Sequence, residues 1–285
     1  MKWEPVIIVG APRSGTNMLR DVLTSLDGIG TWPCDEINYI WRHGNVRVET
    51  DEFGAEMATE GVSNYIRNAF DTLAEKQNLD VVVEKTCANS LRVPFVDRVI
   101  PTARYIFIYR DGVDVVGSSL KRWKAELDFP YLMRKARYVP ALDLPYYACR
   151  YFGNRIFRLF SKEDRLAFWG PKFNGLNEAL GAYSLEEVCA LQWKRCIDLS
   201  EEAFANMPPG KVVRVKYESF VSRPGHELKR ILGELKLSFD EDAINRAVAN
   251  VSDRSVGKGR EALNKAKLNK INALLVDSLA KHGYP

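Results

Sequence analysis

Several residue types that would place this chain in a familiar class are scarce. Three histidines and five cysteines occur in 285 residues. The cysteines, Cys34, Cys87, Cys149, Cys189 and Cys196, are scattered, odd in number and never spaced C-x-x-C. They therefore suggest neither a metal site nor a disulfide framework, and the expectation is free thiols in a reducing compartment. No apolar run reaches the length of a transmembrane helix. The first strand begins within a few residues of Met1 and leaves no room for a signal peptide, so a cytoplasmic location is expected. An excess of one charge is also missing. The net charge of +4 is too mild for a nucleic-acid partner, although it suits anionic ligands locally. There is no repeat, no low-complexity tract and no clean domain boundary. At 46% hydrophobic and 27% charged residues, the chain has the makings of one large α/β domain over residues 1–285.

The most informative segment present is VIIVGAPRSGTNML, Val6 to Leu19. A β-branched run ends at Gly10, and the small residues Ala11 to Thr16 follow. Met18, Leu19, Val22, Leu23 and Leu26 then recur at helical spacing. A strand, a glycine loop and a helix N-terminus together bind phosphate, because the first helical N–H groups are unpaired and the dipole favours an anion. Gly10 and Gly15 let the backbone curl closely around it. A nucleoside-triphosphate-binding loop would carry Lys where Thr16 stands; here the fixed cation is Arg13, inside the loop. Taken alone, the segment also fits an ordinary glycine-rich strand-turn-helix joint.

A second segment, RYIFIYRDGVDVVGSSLKRW from Arg104, reads as a strand ending at Arg110, an Asp111-Gly112 turn and a helix from Val113 to Trp123. Arg110 falls at the carboxyl end of the strand, the usual ligand side of an open α/β sheet. Arg110 and Ser118 could converge on one anion, the first with a fork of donors and the second with a hydroxyl. Further strands are expected at Asp80–Lys85 and Lys211–Tyr217. Helices are expected at about Gly54–Gln77, from a Ser184/Glu187 capping box to about Asn206, and near Pro224–Leu235, Asp240–Ala249 and Asn264–Lys281. This alternation implies a P-loop-like parallel sheet flanked by helices. A mainly helical insertion or cap is expected at about 125–183, rich in aromatics and basic residues.

Together the segments resemble the PAPS-dependent sulfotransferase family, on its bacterial-type side near the tyrosylprotein and carbohydrate branches. PRSGT resembles the 5′-phosphosulfate loop and YRDGVDVVGSS the 3′-phosphate segment. VVVEKT, Val81 to Thr86, is similar to the family's strand followed by a Lys. VVRVKYESF, Val212 to Phe220, is similar to its late strand ending in Tyr-Glu. SVGKGREAL, Ser255 to Leu263, is similar to the basic C-terminal loop over the nucleotide, with Gly259 where an aromatic is usual, a departure that implies weaker loop closure. The resemblance implies 3′-phosphoadenosine 5′-phosphosulfate (PAPS) as donor, without a metal. It implies a donor site made by Arg13, Ser14, Gly15, Thr16, Asn17, Arg110, Ser118, Tyr217 and Lys258, with Arg260 beside Lys258. Asn17 replaces the family's second Thr, and an amide still donates.

Sulfuryl transfer to a hydroxyl needs a base for the acceptor proton and cations for the leaving phosphate. Lys85 and Arg13 are the candidate cations. The position two after Lys85, His in small-molecule sulfotransferases, is Cys87, which reads as a packing thiol. None of His43, His226 and His282 lies in a matching motif. In TWPCDEINYIWRHG, Glu36 stands where the tyrosylprotein and carbohydrate branches carry a catalytic Glu. Glu36 is thus the candidate base and Asp35 its local competitor; both acids would equally suit a helix start. Asn89 and Arg92 either return to the site or cap the next helix.

The stretch from Leu144 to Arg165 carries an apolar stripe, Tyr147 to Phe160, among arginines. It reads as core packing or as contact with a membrane surface or lipid-linked acceptor. Trp169 to Phe173 reads as an aromatic turn able to stack on a ring. The expected acceptor is a carbohydrate or glycolipid hydroxyl, with peripheral membrane contact, and the alternative is a phenolic small molecule or a peptide tyrosine. A P-loop kinase and a non-catalytic nucleotide-binding module remain as rivals. Oligomeric state is not legible.

Overall fold

The structure, a computed structural model, describes residues 3–124, 139–140, 143–146 and 169–284. Five strands, β1 (Glu4–Val9), β2 (Ile29–Gly30), β3 (Val81–Lys85), β4 (Arg104–Tyr109) and β5 (Val212–Lys216), form a wholly parallel sheet in the order β2-β3-β1-β4-β5. The strands are near-continuous β-branched runs because both faces of the sheet are covered. Alternate residues divide between two cores: Ile7, Val9, Val82 and Phe107 join one, and Val6, Ile8, Val83 and Ile106 the other. β2 is two residues long, too short for any periodicity to announce it.

Helix α1 (Thr16–Leu23) packs Leu19, Val22 and Leu23 on the second core. A single turn α2 (Asn38–Trp41) precedes α3 (Glu60–Gln77). The sequence places the start of α3 at about Gly54. A separate 3-10 turn occupies Ala55–Met57, and α3 restarts where the Thr59 hydroxyl accepts from Val62 N. Among the described residues the remaining α-helices are α4 (Val93–Val99), α5 (Gly112–Trp123), α6 (Leu176–Ala182), α7 (Leu185–Ala205), α8 (Tyr217–Ser222), α9 (Pro224–Glu234), α10 (Glu241–Val248), the single turn α11 (Lys258–Glu261) and α12 (Lys265–Lys281). At the start of α7 the Ser184 hydroxyl accepts from Glu187 N, and the Glu187 carboxylate accepts from Ser184 N at 2.9 Å. Losing such a cap costs about 1 kcal/mol.

β1 connects toward β2 and β3, whereas β4 connects toward β5 on its other side. The chain therefore changes direction between β1 and β4, and the carboxyl ends of those neighbours open onto a crevice. Gly10 is needed at that edge: a Cβ there would lie 2.4 Å from the Ile108 carbonyl.

The expected stripe from Tyr147 to Phe160 lies outside the described residues. The turn from Trp169 to Phe173 does not present its aromatics together. Phe173 is 6% exposed and belongs to the core, and Trp169 sits edge-on to Trp123 with centroids 6.5 Å apart. Gln192 Nε2 holds the turn by donating to the carbonyls of Trp169 (3.0 Å) and Pro171 (2.9 Å). The ring-stacking expectation for Phe173 is corrected: an apolar side chain beside a helix-packed core gains more from burial than from solvent. No helix among the described residues is long and apolar enough to cross a membrane.

Candidate active site

The loop between β1 and α1 bends through two left-handed residues, Arg13 at φ 70° and Gly15 at φ 90°. Gly15 also lies against the Tyr217 ring, which a Cβ would meet at 2.4 Å, so glycine is demanded twice. Ser14, Gly15 and Thr16 thereby bring their amides to the start of α1. The Thr16 hydroxyl is 3.7 Å from Cys87 Sγ.

Three cationic groups gather on the β4 side of this loop. Arg13 Nε donates to Ser118 Oγ at 2.9 Å, across 105 residues of sequence. Arg110 Nη1 donates to the Arg13 carbonyl at 3.3 Å, and its guanidinium stacks 4.5 Å from the centre of the Tyr217 ring. Partial burial, followed by repulsion from Arg122 and Arg110, lowers the Arg13 guanidinium below its ordinary pKa. Two buried groups here, Ser14 Oγ and Arg110 Nε, have no hydrogen-bond partner. An orphaned buried polar group costs roughly 1–3 kcal/mol. Mutually repelling cations beside orphaned donors describe a site shaped for an anion.

The other side of the loop is neutralised from within. Lys85 Nζ lies 3.0 Å from Glu36 Oε1 and 3.3 Å from Asp35 Oδ1, and the lysine is 3% exposed. Burial works against its charge, yet Glu36 and Asp35 outweigh burial and raise its pKa. Glu36 Oε1 also accepts from Cys87 N at 3.2 Å. Asp35 is more heavily engaged. It accepts from Asn17 Nδ2 at 2.6 Å and from Arg20 Nη1 at 2.9 Å as well as from Lys85. Asn17 of the loop between β1 and α1 thus reaches the Lys85 cluster through Asp35. The Cys87 thiol is buried and its pKa raised by that burial, as a packing residue's would be.

Beneath this cluster lies a polar network with an element that sequence reasoning missed. Glu84, 1% exposed, accepts from the Thr86 hydroxyl at 2.5 Å and from Asn89 Nδ2 at 2.9 Å. Thr86 Oγ1 in turn accepts from Ile37 N at 3.2 Å, one residue after Glu36. Arg92 Nε donates to Asn89 Oδ1 at 2.9 Å and Arg92 Nη2 to Asn38 Oδ1 at 2.5 Å. Burial pushes the Glu84 carboxyl up to about 7, against the pull of the Thr86 hydroxyl. The Asn89 and Arg92 side chains therefore support the segment that carries Glu36, while Arg92 is also the N-cap residue of α4 through its backbone, with no side-chain capping bond. The available signal was a carboxylate inside the apolar strand VVVEK.

Tyr217 Oη is 2.6 Å from Ser255 Oγ. Past it, Val221, Pro224 and residues 249–254 line an open cavity of ≈ 610 Å³. Lys258 is exposed, whereas Arg260 Nη2 is paired with Asp111 at 2.9 Å.

The profile of the sulfotransferase family matches residues 5–152 and 163–241. No curated protein matches the chain. Among solved structures, the sulfotransferase STF9 from Mycobacterium avium superposes with a TM-score of 0.58 at 12% identity, over 100% of this chain and 78% of that one. A sulfotransferase domain from the curacin biosynthetic pathway gives 0.56 at 13% identity, over 96% of this chain and 98% of its own. The mouse sulfotransferase SULT7A1, solved in complex with PAP, gives 0.52 at 14% identity, over 97% and 85%. At these identities the likeness is one of fold.

Proposed function

The chain belongs to the sulfotransferase family, and on that footing we propose that it moves a sulfuryl group from PAPS to the hydroxyl of a carbohydrate or glycolipid. The observation that carries this reading is the single cluster in which Lys85 touches Glu36, and Asn17 of the phosphate loop touches Asp35.

The bound donor would supply the transferable group: the acceptor oxygen bonds to sulfur as the bond from sulfur to the 5′-phosphate oxygen breaks. The Ser14 hydroxyl and the amides at Gly15 to Asn17 bind the 5′ end, with Arg13 and Lys85 as its cations. Ser118 and Arg110, whose buried Nε has no partner, fit the 3′-phosphate. The adenosine lies toward Tyr217. No step needs a metal from this set of residues. Glu36 takes the acceptor proton. Asp35 is less suited to that task because three cationic or amide groups already hold it in place. Lys85 cannot serve a leaving phosphate while it is fully shared by two carboxylates. Its turn toward that phosphate frees Glu36 as a base, so one movement prepares both groups.

The modest net charge supports a sugar over an acidic tyrosine peptide, which needs a strongly basic surface. The 125–183 stretch is assigned to the acceptor side, with peripheral membrane contact if the sugar is lipid-linked. The test is transfer from ³⁵S-labelled PAPS to glycans, glycolipids, phenols and tyrosine peptides, with adenosine 5′-phosphosulfate as the control donor. Label in a glycan or glycolipid supports the reading. Faster labelling of a tyrosine peptide overturns the acceptor, and equal use of the control donor overturns the 3′-phosphate site.

A further inference from the structure

The segment from Ser255 to Arg260 is fastened to α5 through the amides of Gly257, Gly259 and Arg260. Asp114, 2% exposed, is the fastening. Its Oδ2 accepts from Gly257 N at 2.6 Å and from Arg110 Nη2 at 3.2 Å; its Oδ1 accepts from Gly259 N at 3.0 Å and Arg260 N at 3.1 Å. Two glycines make the approach possible. A Cβ on Gly259 would lie 2.1 Å from the Asp114 carbonyl oxygen, and one on Gly117 would lie 2.2 Å from the Gly259 carbonyl oxygen. Gly259, which the sequence reading takes as a weakness in loop closure, is the residue that lets the backbones touch. An aromatic with its own Cβ would hold them apart.

The same carboxylate orients Arg110. Nη2 is held by Asp114 and the Ser255 carbonyl, Nη1 by the Arg13 carbonyl, and the face by the Tyr217 ring. Only Nε remains without a partner. A buried acid beside a phosphate-binding arginine weakens anion attraction by simple Coulomb repulsion. It also carries a desolvation cost that its four hydrogen bonds must offset. Attraction alone therefore gives no reason for Asp114, and geometry does.

We propose that Asp114 is a positioning residue that docks residues 255–260 on α5 before any ligand arrives and so fixes Arg110 for a 3′-phosphate. This rests on the donor reading above. The two are separated by measuring 3′-phosphoadenosine 5′-phosphate (PAP) and adenosine 5′-diphosphate by calorimetric titration. Wild-type protein that does not prefer PAP defeats the donor reading, and the proposal with it. Given that preference, folded Asp114→Asn protein, checked by its melting temperature, loses about tenfold in PAP affinity, on the scale of one charged hydrogen bond, while the diphosphate stays within about twofold. An unchanged or increased preference for PAP overturns the proposal, and an increase would reveal repulsion as the whole effect. Should Asp114→Asn fail to fold, Gly259→Ala separates the same two backbones from the loop side, with the same expected and overturning results.

Discussion

The two sides of the loop between β1 and α1 handle charge in opposite ways. On the β4 side, Arg13, Arg110 and Arg122 repel one another, and Ser14 Oγ and Arg110 Nε have no partner. On the β3 side, Lys85 is already shared by Glu36 and Asp35. The first side gains by taking up an anion. The second gives up an ion pair to do so. On the proposed function, binding energy would come from the β4 side, and part of it would be used to open the Lys85 pair, where the proposed chemistry lies.

This division predicts variants that separate rate from affinity. Glu36→Gln keeps the shape and removes the base, so turnover falls by about 10²–10⁴ in steady-state transfer assays. Lys85→Ala follows, with turnover about 10²–10³ lower, the scale of losing one preorganised charge stabiliser. Arg110→Ala acts on the other side: PAP binding weakens by about 1.5–3 kcal/mol by calorimetry, while turnover at saturating donor changes less.

The effect furthest from the chemistry belongs to Glu84 and is on stability. Its folded pKa of about 7 lies above the ordinary carboxylate value, so its contribution to stability is whole below about pH 4.5 and is lost as pH rises through 7. Glu84→Gln removes that titration, and melting temperatures across pH 4.5–7.5 should fall less steeply than in wild type. Identical slopes would mean that Glu84 is not the titrating group.

How much of this was legible depends on sequence separation. The phosphate loop and the Arg110 segment are contiguous motifs, and their strands, glycines and cation positions follow from local spacing. The parallel sheet follows from β-branched runs alternating with helical periods. The Lys85–Glu36 contact spans 49 residues, so family resemblance could nominate each residue but no spacing rule could join them. Thr86 and Asp114 act on backbone amides, and a hydrogen bond to an amide leaves no trace in residue type at the partner. Gly259 was misread for the same reason: its value lies in a close approach to Asp114 from 145 residues away. Phe173 was misplaced because an aromatic turn looks the same in sequence whether it faces a ligand or a core.

The most direct test is to titrate PAP into wild type, Glu36→Gln and Arg110→Ala, and to measure sulfuryl transfer on the same preparations. The account predicts that Glu36→Gln binds PAP as wild type does or slightly tighter, since Lys85 is released, and transfers almost nothing, while Arg110→Ala loses affinity first. Glu36→Gln protein that loses PAP affinity as steeply as it loses rate would contradict the separation of binding and chemistry on the two sides of the loop.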